Sequence, residues 1–280
     1  MDNTPLIAVV TVVRNGASTI AYTLESVCQQ DYPAIEFVVI DGVSTDGTLE
    51  IVEKYRDRIS VFISEPDKGI YDAMQKGVAF SKGAHLLFLN ADDAFTDPGA
   101  LARLAAVRNA LPADQATICY ADYLKFYPAL GKSLLFSTSE SFERGMTICQ
   151  QTMLADRNIF DRIGSFDTSF RLSADLDWVI RAKRAGVTLV KAEIPPVAVI
   201  RGGGASDTQY KVSRAEGRRI VLQYYGFKAY LLFVLRQYWV TSLRALAKWV
   251  TPLIGQRNIT RLQTAYLLMV RGQQAAGPGS

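Results

Sequence analysis

Short apolar runs alternating with helical patterns predict an α/β fold: a mainly parallel sheet flanked by helices, with a helical C-terminal extension. Two further observations agree. Acidic and amide side chains follow successive apolar runs, the edge at which open parallel sheets bind ligands. After Glu216 the chain has no acidic residue, and its pattern turns helical with few breaks.

Ile7–Val13 reads as a buried strand. Ser18 caps a helix through about Gln29, with Ile20, Leu24 and Val27 at helical spacing. Ile35–Asp41 is a second strand, and Ser44 or Thr45 caps a helix bearing Leu49, Ile51, Val52 and Tyr55. Ile59–Ser64 is a third strand, Ile70–Phe80 a helix, and His85–Asn90 a fourth strand. Another helix starts near Pro98. Ile118–Ser173 is less regular, with short strands and loops. Asp175–Ala185 is helical and stops at Gly186. Leu189–Ile200 is extended but interrupted by Pro195 and Pro196, and Gly202–Gly204 is a flexible loop. From Gln209 the helical pattern breaks at Gly226 and near Thr251, Pro252 and Gly255. The expected domains are a catalytic unit over 1–208 and a basic, apolar tail over 209–276, with 277–280 a disordered end. The first unit divides into two parts, roughly 1–100 and roughly 101–208.

The composition, 49% hydrophobic and 21% charged over 280 residues, is that of a globular protein. Cys28, Cys119 and Cys149 lie far apart, so the sequence suggests neither a zinc site nor a disulfide framework. No signal-peptide pattern opens the chain, which predicts a cytoplasmic protein. The net charge of +4 hides a split: nine of 31 basic residues follow Glu216, leaving 22 against 27 acids up to and including it. An acidic body with a cationic tail implies different partners for the two parts.

Four segments carry candidate chemistry. Asn90-Ala-Asp-Asp93 delivers an amide and two carboxylates at a strand end, a donor set suited to Mg²⁺ or Mn²⁺ shared with phosphate oxygens. The same acids would also serve a helix-capping turn. Asp41 stands at a strand end before the turn Gly42–Thr48 and is free to accept from a nucleobase or ribose. In Glu65-Pro-Asp-Lys-Gly69, Lys68 suits a phosphate and Gly69 permits close backbone approach. Asp175, near a helix N-terminus, is either a cap or a general base.

In this order, these segments resemble family 2 glycosyltransferases of the GT-A fold. The carrying residues are Asn15, Asp41-Gly-Val-Ser-Thr-Asp-Gly-Thr48, Glu65-Pro-Asp-Lys-Gly-Ile-Tyr-Asp-Ala-Met74, Leu89-Asn-Ala-Asp-Asp93 and Ala174-Asp-Leu-Asp-Trp178. The resemblance spans roughly Ile7 to Ser206 and points to the bacterial branch that builds capsule, exopolysaccharide or lipopolysaccharide sugars. It implies an inverting transfer from a nucleotide-diphosphate sugar, a UDP-sugar first, to a hydroxyl of a glycan or lipid-linked acceptor. It implies that Asp175 is the catalytic base and Asp92 the metal ligand, with Mn²⁺ or Mg²⁺ as cofactor. Asn15, Asp41, Asp67, Lys68, Asn90, Asp92, Asp93 and Gln151 are then the donor-binding residues, with Asp41 at the nucleobase. Gly203–Ser206 is similar to the segment that closes over the diphosphate. This chain departs from the family pattern at Asn90, for the first acid of DxD, and at Gly42, Ala174 and Gln150.

In the tail, Tyr230–Val240 is strongly apolar but carries Arg236, with Arg244 and Lys248 soon after. These charges argue against a membrane span and for peripheral contact with the anionic inner face of the cell membrane. Packing on the catalytic unit or on a second copy in a homo-oligomer is the alternative. Basic residues interleaved with bulky aliphatics argue against nucleic acid as a partner. An NAD-dependent oxidoreductase needs a glycine-rich turn that Arg14-Asn-Gly-Ala-Ser-Thr19 does not supply. A nucleotidyltransferase and an inactive scaffold of the same fold are the remaining rivals.

Overall fold

The computed structural model describes residues 4–145 and 147–254, with the side chains of 240, 241 and 243–254 left aside. Its elements in order are β1 (Ile7–Val13), α1 (Ile20–Cys28), β2 (Ile35–Asp41), α2 (Thr48–Glu53), β3 (Val61–Ser64), α3 (Ile70–Phe80), β4 (His85–Phe88), β5 (Ala94–Phe95) and α4 (Ala100–Asn109). There follow β6 (Thr117–Tyr120), β7 (Tyr123–Tyr127), β8 (Lys132–Phe136), β9 (Met153–Asp156), α5 (Asn158–Ile163), α6 (Ala174–Arg184), β10 (Thr188–Lys191), β11 (Ala198–Arg201), α7 (Ala205–Thr208) and α8 (Tyr210–Ile254). The sequence-predicted remainder of the tail, 255–276, and the end at 277–280 lie outside the described residues.

A seven-stranded sheet runs in the order β10-β6-β9-β4-β1-β2-β3. Strands β1 to β4 are mutually parallel, and β9 alone runs against its neighbours β4 and β6. The α/β fold with a mainly parallel sheet is therefore as the sequence predicts. All seven residues of β1 are buried, and their side chains alternate between two cores. Ala8, Val10 and Val12 face one, Ile7, Val9 and Val13 the other. Such a doubly covered strand reads as a continuous apolar run. Helix α3 lies so close on β1 that a Cβ built on Gly77 would sit 2.3 Å from Val10 Cγ1.

Two local expectations, the cap of α2 and the break near Pro252, are corrected. Neither Ser44 nor Thr45 caps α2, which starts at Thr48 after Gly47 in the left-handed region (φ 93). Ser44 is instead drawn to Asp41. The irregular middle supplies β7 and β8 to a second sheet, β5-β11-β7-β8, whose strands are too short and too separated in sequence to register as a periodic signal. The tail helix continues past Pro252 to Ile254, although Gly226 does break it (φ 76, ψ −179).

The first turns of α8 are knitted into the body. Ile220 and Val221 are fully buried, and Phe233 is 8% exposed. The Glu216 carboxylate accepts from the backbone N–H groups of Arg171 (2.7 Å) and Leu172 (2.9 Å). Tyr224 donates to Asp177 Oδ1 at 2.7 Å, and Arg219 stacks 4.6 Å from the Phe170 ring centre.

Beneath the far end of the sheet, His85, the only histidine, and Arg108 converge on Asp156. Arg108 binds both carboxylate oxygens (Nε 2.7 Å, Nη2 2.8 Å), His85 Nδ1 lies at 2.8 Å, and Thr117 N–H donates at 2.9 Å. Burial alone would raise the Asp156 pKa; hydrogen bonds from His85, Arg108 and Thr117 outweigh it and hold the carboxyl below its ordinary range. Its stabilisation is present above the unfolded carboxylate pKa and is lost as pH falls through the lowered folded value. Asp156→Ala leaves Arg108 buried without its partner, and denaturant unfolding should show a loss of ~3–5 kcal/mol.

Candidate active site

Parallel pairing ends β1, β2, β3 and β4 at one rim, and the chain leaves each strand there with a polar residue. Because β9 runs the other way, its start brings Gln151 to the same rim.

At the β1 exit, Asn15 takes a left-handed conformation (φ 53), which an amide side chain tolerates. Its N–H donates to Ser44 Oγ (2.8 Å) and its Oδ1 accepts from Thr45 N–H (2.9 Å). Gly16 and Ala17 N–H donate to Thr48 and Asp46 in the same way. Asn15 therefore laces the β1 loop to the β2 turn.

Asp41, the residue that the resemblance puts at the nucleobase, closes β2. It is fully buried; Oδ1 accepts from Ser44 Oγ (2.5 Å), and Oδ2 from Ser44 N–H (3.0 Å) and Ser64 Oγ (2.6 Å). Both oxygens brace the turn and tie it to β3. Beside it, Gly42 gives room for Asp67: a Cβ at position 42 would fall 2.1 Å from Asp67 Oδ2. The family departure at Gly42 thus has a local physical reason. Asp67 also accepts from Gly69 N–H (2.8 Å), and Gly69 sits at φ 129 just ahead of α3. The Lys68 side chain is exposed, and its N–H caps on Asp72 Oδ2 at 3.0 Å.

At the β4 exit, Asn90 Oδ1 is buried and has no hydrogen-bond partner among the described residues. Asp92 is partly buried; burial raises its pKa, while Arg201 lowers it. A Cβ on Gly204 would lie 3.3 Å from Asp92 Oδ2, so the Gly202–Gly204 loop runs directly past this carboxylate. Asp93 is the next residue along this exit. It is 2% exposed, with Oδ2 accepting from Gln151 Nε2 (2.8 Å) and Oδ1 from Arg201 N–H (2.9 Å). Burial first, and the Asp92 charge second, push its pKa up to about 8. Asp93 therefore fastens β9 and β11 to the rim, and Gln151 is engaged with it and with the Cys149 thiol (3.0 Å).

Asp175 lies in the first turn of α6. Its Oδ1 accepts from Tyr71 Oη (2.8 Å) and Leu176 N–H (2.9 Å). Burial raises its pKa, the Tyr71 hydrogen bond lowers it, and Glu216 adds a smaller upward push. Burial raises the pKa of Cys149, and the charges of Asp93 and Asp175 raise it further.

Sequence reading missed Tyr71, Ser64, Cys149 and Glu216. Tyr71 lay inside a quoted segment, but nothing in its spacing revealed a partner 104 positions away. Among the described residues no group of three or more His, Cys, Asp or Glu is placed to hold a metal ion. The orphaned Asn90 Oδ1 beside Asp92 does fit a hard divalent cation that takes most of its oxygens from a phosphate ligand.

A parallel sheet with an acid-lined rim, extended by a smaller second sheet, defines the GT-A class of fold. The chain belongs to glycosyl transferase family 2, whose family model matches residues 8–158. A PGL/p-HBAD biosynthesis glycosyltransferase of Mycobacterium bovis is 31% identical over 186 residues, 63% of this chain and 69% of its own length. Among solved structures, Staphylococcus aureus TarS 1–349 in complex with UDP-GlcNAc superposes with a TM-score of 0.60 at 17% identity, over 78% of this chain and 71% of that one. The match spans only 42% of a longer TarS chain. The mannosyltransferase PcManGT of Pyrobaculum calidifontis, in complex with GDP-Man and Mn²⁺, gives a TM-score of 0.63 at 17% identity, over 96% of this chain and 81% of that one.

A side chain at position 42 must displace Asp67. Gly42→Ala should therefore leave far-UV circular dichroism unchanged and, with Asp67 lining the nucleotide pocket as the resemblance implies, weaken nucleotide binding by about 10-fold in calorimetric titration, the equivalent of ~1.4 kcal/mol.

Proposed function

We propose that this protein is an inverting glycosyltransferase that moves a sugar from a nucleotide-diphosphate donor, UDP-linked in the first instance, to a hydroxyl of a glycan or lipid-linked acceptor. Bacterial capsule, exopolysaccharide or lipopolysaccharide synthesis is the setting we infer, in line with the biosynthetic glycosyltransferase relative. The observation that carries the reading is the arrangement of Asp175: one oxygen is held by two donors, and burial raises its basicity. A base whose pKa approaches the working pH is the more effective catalyst.

In this reading Asp67 lines the nucleotide pocket, while Lys68, and Asn90 and Asp92 through a cation, hold the diphosphate, with Gln151 fixed next to them by Asp93. Asp92 and Asn90 Oδ1 would hold a divalent cation, Mn²⁺ or Mg²⁺, which would offset the diphosphate charge and improve it as a leaving group. Asp175 takes the acceptor hydroxyl proton as that oxygen bonds to the anomeric carbon. The bond from carbon to the diphosphate oxygen breaks on the opposite side, inverting the configuration. The Gly202–Gly204 loop, next to Asp92, is in position to cover the diphosphate.

Helix α8 supports an acceptor at a membrane surface. Phe227, Leu231, Leu232, Leu235, Tyr238 and Trp239 are each 45% exposed or more. The chain beyond Glu216 offers basic residues and no acidic one. An apolar face on a cationic helix suits the interface of an anionic leaflet. No helix among the described residues is long and apolar enough to cross a membrane.

Asp175→Asn should cut turnover by about 10²–10⁴-fold, the worth of a positioned base. Donor binding should stay within a few-fold of the parent. A melting-temperature screen of UDP- and GDP-sugars with Mn²⁺ or Mg²⁺ identifies the donor, since a ligand of the folded state raises the midpoint. Full turnover by Asp175→Asn would refute the base. In a separate test, the parent chain should pellet with phosphatidylglycerol vesicles at low salt and less at high salt. A Phe227→Ser, Leu232→Ser, Leu235→Ser variant should stay in the supernatant.

A further inference from the structure

Tyr71 stands where the donor loop enters α3, two residues after Gly69, and is 6% exposed. Its ring packs 5.3 Å from the centre of Phe166, so the hydroxyl has a fixed direction. That direction is toward Asp175 Oδ1, at 2.8 Å. Leu176 N–H reaches the same oxygen at 2.9 Å. Among the described residues, no other residue donates a hydrogen bond to this carboxylate.

We infer that Tyr71 is a positioning residue for the transfer. With Leu176 N–H it saturates Oδ1 of Asp175 and leaves Oδ2 as the oxygen that takes the acceptor proton. The inference rests on the reading of Asp175 as the base and adds which of its atoms acts and what orients it. A carboxylate free to rotate about its Cβ–Cγ bond presents either oxygen; one clamped by two donors presents only one. Tyr71 is the clamp from outside the base's own helix. Because it belongs to the element that follows Asp67-Lys68-Gly69, it also ties the position of the base to the proposed donor loop.

The electrostatic surroundings leave Tyr71 as the principal side chain favouring the ionised base. Glu216, from α8, repels it, and the Cys149 thiol, from the loop before β9, lies within range of its charge. Asp177, on the same helix as the base, is itself engaged by Arg181 and Tyr224. A hydroxyl that donates to a carboxylate stabilises the charged form, so its loss raises the pKa of the acid.

The test follows Asp175 directly. In full-length protein carrying carboxyl-labelled aspartate, the carbon-13 resonance that disappears in Asp175→Asn reports the titration of the base. In Tyr71→Phe its midpoint should move up by about 1 pH unit, the size expected for one hydrogen bond to a charged group. With the nucleotide sugar selected by the melting screen, kcat on the plateau above the acid limb should fall about 10-fold, because the unclamped carboxylate no longer holds Oδ2 toward the acceptor. The acid limb of its pH profile should move the same way, with the donor KM unchanged. Site-specific 3-fluorotyrosine at position 71 keeps the ring and makes the hydroxyl a stronger donor; the midpoint should then move down. This second substitution stands in if Tyr71→Phe does not fold. An unmoved midpoint in either protein would overturn the inference, as would an added loss from Tyr71→Phe in an Asp175→Asn background. Turnover retained by Asp175→Asn would sink the base assignment separately, while the resonance would still report the Tyr71 contact.

Discussion

The crowding of carboxylates at one rim of a parallel sheet is the constraint on which the rest of the site depends. Parallel pairing forces β1, β2, β3 and β4 to end together, so acids far apart in sequence become neighbours. Like charges in a partly dry cleft repel, and each must be offset by donors or by protonation. Ser44 and Ser64 hold Asp41, Gly69 N–H holds Asp67, Gln151 and Arg201 N–H hold Asp93, and Tyr71 and Leu176 N–H hold Asp175. Asp92 accepts no side-chain hydrogen bond among the described residues, and its neighbour Asn90 Oδ1 is unpartnered. Among these acids, Asp92 is thus the one that no hydroxyl, side-chain amide or backbone N–H of another described residue holds, with the Arg201 charge to offset it, and it is where a cation and a diphosphate are proposed to sit.

This balance sorts the acids by task. Asp41 and Asp93, whose four oxygens are all engaged by protein donors, hold loops and strands together. Asp92 and Asp175 each retain an oxygen available to a substrate. The C-terminal helix enters the same accounting, because Glu216 grips the two backbone N–H groups just ahead of α6. The start of α8 thereby supports the segment that carries Asp175, and the stretch beyond Gly226 turns back on it, with Phe233 against Gly217 and Gln237 accepting from Arg218.

Much of the fold was legible because its signals are local. The boundaries of β1, β2 and α3 agree with the sequence reading to the residue, since each strand is a continuous apolar run covered on both faces and the helix carries its own periodicity. The start of α2 was misread because Ser44, a good cap by type, has a stronger acceptor in the buried Asp41. The second sheet went unread because β5 has only two residues and pairs with β11, about 100 positions on. In the site, the sequence supplied the identity and order of the acids, but not which were already spoken for.

The sequence by itself determined the α/β class, the order of strands and helices, the family resemblance and the cationic, apolar tail. Those follow from periodicity, residue type and spacing, which a linear chain carries in full. Only the tertiary structure decided that Asp41 and Asp93 are braces, that Gly42 makes room for Asp67, and that Tyr71 and Glu216 support the segment bearing Asp175. Each of these rests on a distance between residues separated by tens of positions. Such distances arise from how the sheet stacks its strands, and no local pattern encodes them.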